Sequence, residues 1–322
     1  MKKNIIYLCF ISFLLAGCIE PYKGKMDSID SILVVEGIIT SGTTHITLSK
    51  SFRLDEGGAW ASSITEYVVN DAEVYVECDD GTRTGSAYST SGGVYRIETG
   101  ELNIDAKYRL TIYMNDEVYH SGYIAPAISP PVNISFKTDQ DNIYVCVTTY
   151  GYKGQPGYYL WSYDEDWEAR IFTGGRCWQN DSSKILILGN TEKLIENTIR
   201  EQIIKSFTRT DSRTSVLYHV KVTQNTIHKE AYDYFYNVQK NSSWNPDVIF
   251  GHIPSEIMGN IKCATNPDIP VIGYVDVSTT STDEQYLDNT YYDPSIEFER
   301  RRICSLYREG ENAPEFCHEC GW

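Results

Sequence analysis

Tyr108-Arg109-Leu110-Thr111-Ile112-Tyr113 alternates apolar and polar side chains residue by residue. A period of two is the mark of a strand with one face buried and one face wet. Asn115-Asp116 follows as a tight turn into Val118-Tyr119-His120, so the segment reads as one arm of a hairpin. Upstream lie further short runs of the same kind: Ile32 to Ile39, His45 to Leu48, Ala72 to Cys78 and Val94 to Ile97. Breaks such as Asp79-Asp80-Gly81 and Ser91-Gly92-Gly93 separate them. Short alternating strands at near-regular spacing predict an immunoglobulin-like β-sandwich over residues 32–124. The 25 tyrosines, with abundant Thr, Val and Ile, favour strands over helices.

Downstream, Pro126, Pro130 and Pro131 interrupt hydrogen bonding, because proline lacks an amide donor. They predict a boundary, with a second β-rich domain over 125–322. Val132 to Phe136 and Ile143 to Thr149 read as a hairpin. Tyr158 to Tyr163, Ile185 to Leu188 and Val216 to Val222 continue the strand pattern. Ile227, Ala231, Phe235 and Val238 share a face at helical spacing, which predicts a helix there, with Glu230 where the helix dipole favours an anion. A second helix is expected over Glu192 to Phe207. The fold class is therefore mainly β, a sandwich followed by a β-rich domain with one or two helices.

At the N-terminus, Met1-Lys2-Lys3 precedes the apolar run Ile5 to Leu15 and then Leu15-Ala16-Gly17-Cys18. A positive start, a short apolar stretch and small residues make an export signal over 1–17. The run is well short of the roughly 20 residues that span a bilayer. Cysteine at the cut makes the site a lipobox, so Cys18 is the expected lipidation site and 18–31 a polar tether. Loss of two lysines moves the net charge from −16 to about −18. That balance excludes nucleic acid and docking on anionic headgroups, which both require basic patches.

Seven cysteines remain after Cys9 and Cys18, an odd number, so at least one is unpaired within the chain. Cys78 and Cys146 lie in strand-like runs and read as small buried hydrophobes. Cys263, Cys304, Cys317 and Cys320 are the candidate disulfide or structural cysteines. Cys317-His318-Glu319-Cys320 has metal-ligand spacing, but a single CxxC is a weak signal and exported thiols oxidise. No metal and no cofactor is expected. The six histidines (His45, His120, His219, His228, His252 and His318) show no ligand spacing. No nucleophile elbow, zinc-protease helix, P-loop or dinucleotide fingerprint occurs. Trp161-Ser162-Tyr163-Asp164-Glu165-Asp166-Trp167-Glu168 is the most suggestive stretch. Carboxylates beside aromatics serve glycoside hydrolysis or sugar binding, yet alternation also allows Trp161 and Trp167 to fill a core. Trp161, Asp164, Glu165 and Trp167 are candidate ligand contacts, and Trp244, on the polar loop Asn241 to Asp247, is a candidate partner anchor. Arg300-Arg301-Arg302 is a rare basic run.

Several phrases stand together in order. They are Cys18 to Tyr22, Val34-Val35-Glu36-Gly37, Trp161 to Glu168, Val222-Thr223-Gln224 leading to Glu230-Ala231-Tyr232-Asp233-Tyr234, Gly259-Asn260-Ile261, Val271-Ile272-Gly273-Tyr274 and Cys317 to Cys320. In this order the chain resembles the domain-of-unknown-function 4249 family of Bacteroidota outer-membrane lipoproteins. The resemblance implies no enzyme activity. It implies a place beside a TonB-dependent receptor as a ligand-capture or lid partner. A glycan-binding or adhesion lipoprotein is the alternative. The expected location is the outer membrane, lipid-anchored, with the acidic Glu20, Asp27 and Asp30 pointing to the cell surface.

Overall fold

The computed structural model describes residues 32–51, 67–85, 89–170, 176–214, 216–242 and 259–288. They form two β-sandwiches and one helix. The first sandwich is built from β1 (Leu33–Thr40), β2 (Gly42–Lys50), β3 (Glu73–Cys78), β4 (Arg83–Thr84), β5 (Ser89–Ser91), β6 (Val94–Gly100), β7 (Tyr108–Met114) and β8 (Glu117–His120). The second contains β9 (Asn133–Thr138), β10 (Asn142–Tyr150), β11 (Tyr158–Arg170), β12 (Arg176–Ser182), β13 (Ile187–Asn190), β14 (Thr198–Thr208) and β15 (Leu217–Ile227). Helix α1 (Lys229–Ser242) follows, then β16 (Lys262–Cys263), β17 (Val271–Ser278) and β18 (Thr280–Asp288).

In the first sandwich the sheets run β17-β1-β2-β6-β5 and β16-β8-β7-β3-β4. In β7, Leu110 and Ile112 are buried among Val35, Ile46, Leu48, Val74 and Tyr95 and Tyr113 points outward, as alternation predicts, but Thr111 on the outer side is covered as well. The Asn115-Asp116 turn has φ of 51° and 63°, the left-handed pair that matches the twist of a two-residue hairpin.

The expected division at residue 124 needs one correction. After the second sandwich has begun, the chain returns to the first: β16 pairs with β8 and β17 runs parallel to β1. Ile261, Cys263, Val275 and Val277 belong to the first core. Parallel pairing needs a long crossover, and all of the second sandwich except its last strand, β18, lies within it. No local pattern announces such a return. It has a geometric consequence. Leu33 pairs with Val271 and Thr40 with Ser278, and Thr280 opens a strand of the second sandwich. The chain thus arrives at Leu33 on the end of the first sandwich remote from the second, about 25 Å away at 3.3 Å per residue.

The second sandwich stacks β14-β10-β9 on β12-β11-β15-β18, with β13 also pairing to β11. Tyr159, Trp161, Tyr163 and Trp167 of β11 fill its core with Val145, Phe207, Tyr218 and Val220. The expected β9–β10 hairpin and helix α1 form, with Ala231 fully buried on the helix's inner face. The helix expected over Glu192 to Phe207 does not. Those residues contribute β14, whose register on β10 shifts around Glu201, held at φ 53°. That shift and a second one at Ile204 space the inward residues as Ile199, Ile204 and Phe207, an irregular spacing that imitates a helical face.

Candidate functional site

The stretch singled out in the sequence lies along β11, and alternation sends its acids in opposite directions. Asp164 is exposed on the outer face, whereas Glu165 is buried between the sheets. The Glu165 carboxylate accepts hydrogen bonds from Arg213 Nη2 at 2.6 Å and Nε at 3.1 Å, and from the Tyr218 hydroxyl at 2.7 Å. Lys205 Nζ lies 3.3 Å away. Arg213 also donates to Asp211 at 3.1 Å and its guanidinium stacks 4.1 Å over the Trp167 ring. Burial works against the Arg213 charge, but its bonds to Glu165 and Asp211 hold it protonated, with its pKa raised. Burial, then the Glu165 charge, pushes the Tyr218 phenol well above its ordinary range. Arg213 and Lys205 are thus offset by buried Glu165 and, at the edge of the core, by Asp211 and by Asp181, 3.7 Å from Arg213. Trp161 and Trp167 are 1% and 6% exposed, so they pack rather than offer a face to a ligand. Asp164 and Glu165 face opposite sides of a sheet and cannot act on one bond.

Cys263 packs in the first core as a buried free thiol beside Glu117 and Thr265. Cys78 and Cys146 are buried and free, as small hydrophobes in strands. Burial pushes the Cys146 thiol up. Cys18, Trp244, Cys304, Cys317, Cys320 and Arg300 to Arg302 lie outside the described residues. Among the described residues no three His, Cys, Asp or Glu side chains gather as metal ligands, and no helix is long and apolar enough to cross a membrane.

Among the described residues, several of the phrases that carry the family resemblance meet where the two sandwiches join. Gly273 of β17, at φ 144°, lies against β1, where a Cβ would overlap the Val35 carbonyl. Gly259 packs on Gly273 with as little room. Asn260 then donates to the Val275 carbonyl at 2.7 Å and accepts from the Val275 amide at 2.9 Å, so its side chain covers part of an open sheet edge. Tyr234 of α1 packs against Tyr274 with the rings tilted, centroids 5.3 Å apart. Gln224, fully buried, accepts from Trp161 Nε1 at 2.9 Å and donates to the Pro130 carbonyl at 2.8 Å. Buried Asp276 accepts from the His228 amide at 2.7 Å and meets His228 Nδ1 at 2.8 Å.

The outer face of β3, β4 and β7 carries a different arrangement, which sequence reading missed. Tyr113 and Tyr75 meet edge to face at 5.9 Å. The Arg83 guanidinium lies 3.4 Å over Tyr75 and 5.0 Å from Tyr113. Glu77 joins Arg83 at 3.4 Å to Arg109 at 2.7 Å, and Arg109 lies 4.6 Å over Tyr123. A continuous row results, Tyr113-Tyr75-Arg83-Glu77-Arg109-Tyr123, with its terminal tyrosines 37% and 42% exposed. Beside Tyr113 opens a cavity of about 340 Å³ lined by Asp71, Glu73, Asp116 and Glu117. The signal was present as outward positions of alternating strands, but strand pairing alone brings Arg83 and Tyr123 to them.

Fold and surface define a two-sandwich β protein with a joint of buried hydrogen bonds and a polar, aromatic outer face. The chain belongs to the DUF4249 family: the family model described as "Domain of unknown function (DUF4249)" matches residues 19–284, which takes in both sandwiches. No curated protein matches the chain. Among solved structures it is similar to a two fibronectin type III domain segment from chicken tenascin. That match has 9% identity and a TM-score of 0.18, covering 61% of this chain and 91% of that one. It is also similar to a DUF4785 family protein from Legionella pneumophila, at 14% identity and a TM-score of 0.18, covering 60% of this chain and 52% of that one.

Proposed function

We propose that this protein is a lipid-anchored, non-enzymatic outer-membrane lipoprotein that captures ligand for, or caps, a TonB-dependent receptor. The observation that carries the reading is the Tyr113-to-Tyr123 row. It gathers exposed aromatic and hydrogen-bonding groups on an open sheet face, the layout of a binding surface. The lipobox at Cys18 and the acidic composition support a body tethered at, and standing off from, a membrane. A joint built from buried contacts favours a body that moves as one piece on its tether, which suits a lid. The same row would serve a cell-surface adhesin that binds glycans with no receptor.

A tagged pull-down from gently solubilised outer membranes, read by mass spectrometry, tests this. A stoichiometric TonB-dependent receptor is expected. Recovery of the protein alone, under conditions that preserve known receptor complexes, would overturn the transport role and leave adhesion.

A further inference from the structure

The row on the first sandwich points to a ligand class. We infer that the face from Tyr113 to Tyr123 binds an uncharged oligosaccharide. The inference rests on the ligand-capture reading and names what is captured.

Three observations carry it. First, the charges in the row cancel internally. Glu77 serves both Arg83 and Arg109, and Glu73 accepts from the Tyr75 hydroxyl at 2.8 Å. Two carboxylates and two guanidiniums leave the row itself without net charge in a chain whose total is −16. A row so balanced offers no surplus positive charge to a phosphate or to an anionic glycan. Second, what remains on offer is aromatic surface with fixed hydrogen-bonding groups at its edges. Sugars present apolar C–H faces and a rim of hydroxyls, and tyrosine with guanidinium and carboxylate neighbours satisfies both. The Arg83 and Arg109 side chains are held by stacking and ion pairing, so little rotamer freedom is lost on binding. Third, the row is long. Arg109, over which Tyr123 lies, and Tyr113 are four residues apart on β7, about 13 Å at strand rise. That length matches a chain of sugars rather than a single ring. The cavity beside Tyr113 extends the row with carboxylates, which accept from hydroxyls and repel anionic glycans.

The test uses the mature protein on an array of neutral, anionic and basic glycans. Calorimetry then follows with the retained soluble oligosaccharide, or with cello-, malto- and xylohexaose if the retained glycan is insoluble. Retention of neutral glycans is expected. Affinity should fall at least tenfold in Tyr113→Ala/Tyr123→Ala, with the melting temperature within a degree or two of wild type, because both rings are partly exposed. Ile203→Ala, on the second sandwich and 53% exposed, should bind as wild type. An empty array, retention confined to anionic or basic glycans, or binding indifferent to the double variant would each overturn the inference. Receptor co-purification is scored separately. A receptor without glycan binding sinks this inference and leaves the transport role standing, whereas glycan binding without a receptor does the reverse.

Discussion

His228 Nδ1 lies 2.8 Å from Asp276 Oδ1 across the joint between the two sandwiches. The same aspartate accepts from the His228 amide, at the N-terminus of α1, and from the Val277 amide at 2.9 Å. It therefore supplies the anion that a helix N-terminus favours, and it comes from a strand of the other sandwich. One buried carboxylate fixes the exit of β15, the start of α1 and the edge strand β17.

The pair makes the joint sensitive to pH. The bond to Asp276 raises the His228 pKa above its ordinary 6.5; burial opposes this, while the charges of Asp276 and Glu230 add to the rise. A group whose folded pKa is raised stabilises the fold fully below its unfolded pKa. That contribution is lost as pH climbs through the folded value. His228→Gln should lower the melting temperature at pH 6, and the gap to wild type should narrow steadily above pH 6.5. Thermal unfolding across pH 5.5 to 9 measures it. A gap that widens with pH would contradict the assignment. About 1 kcal/mol at pH 6 is expected, since the imidazole is 37% exposed and part of its charge is screened.

Neighbouring acids on β11 should differ sharply. Glu165→Ala leaves Arg213 and Lys205 in the core without their shared carboxylate, and breaking a buried ion pair costs about 3–5 kcal/mol. Asp164→Ala, on the exposed face, should fall within about 0.5 kcal/mol of wild type. Urea unfolding of the two variants decides this, and equal costs would show that the strand's inside and outside are assigned wrongly.

How far the sequence reached is clear from such particulars. Period-two runs found β2, β3 and β6 because each has one buried face, and Asn115-Asp116 identified its turn through residues that tolerate left-handed backbone. β14 was misread because the bulge at Glu201 broke that period. The return of β17 to β1 was illegible, since a parallel partner more than 200 residues away leaves no mark on either strand. The candidate face was illegible for the same reason. Tyr75, Arg83, Arg109 and Tyr123 are ordinary outward residues until sheet pairing aligns them. Trp161 and Glu165 drew notice through their chemistry, but their neighbours, Gln224 in one case and Arg213 in the other, turn that chemistry to structural use.

Gln224 gives a third prediction. It is the buried link between Trp161 of the second core and Pro130 of the crossing segment. Gln224→Leu keeps much of the volume but orphans the indole N–H and a carbonyl, each worth about 1–3 kcal/mol when left unsatisfied in a core. The variant should unfold at clearly lower urea. Gln224→Glu should fare better at acid pH, where a protonated carboxyl can donate to Pro130, than at pH 8, where it cannot.

Gly273 tests whether the parallel pairing holds the molecule together. Its φ of 144° disfavours any side chain, and a Cβ would meet the Val35 carbonyl on β1, with Gly259 packed behind. Gly273→Ala must therefore displace β17 from β1 or distort both, costing about 1–3 kcal/mol from backbone strain alone. Because β17 also carries Asp276, the displacement should loosen the His228 contact. The variant's loss of stability on raising pH should then be smaller than wild type's. Hydrogen exchange offers a direct readout: amides of Val35 and Gly37, on the strand that β17 covers, should lose protection while those of Leu110 and Ile112 on the facing sheet keep it. Uniform loss across both sheets would mean that the first sandwich unfolds as one unit, and that β17 is integral to it rather than a clasp laid on its edge.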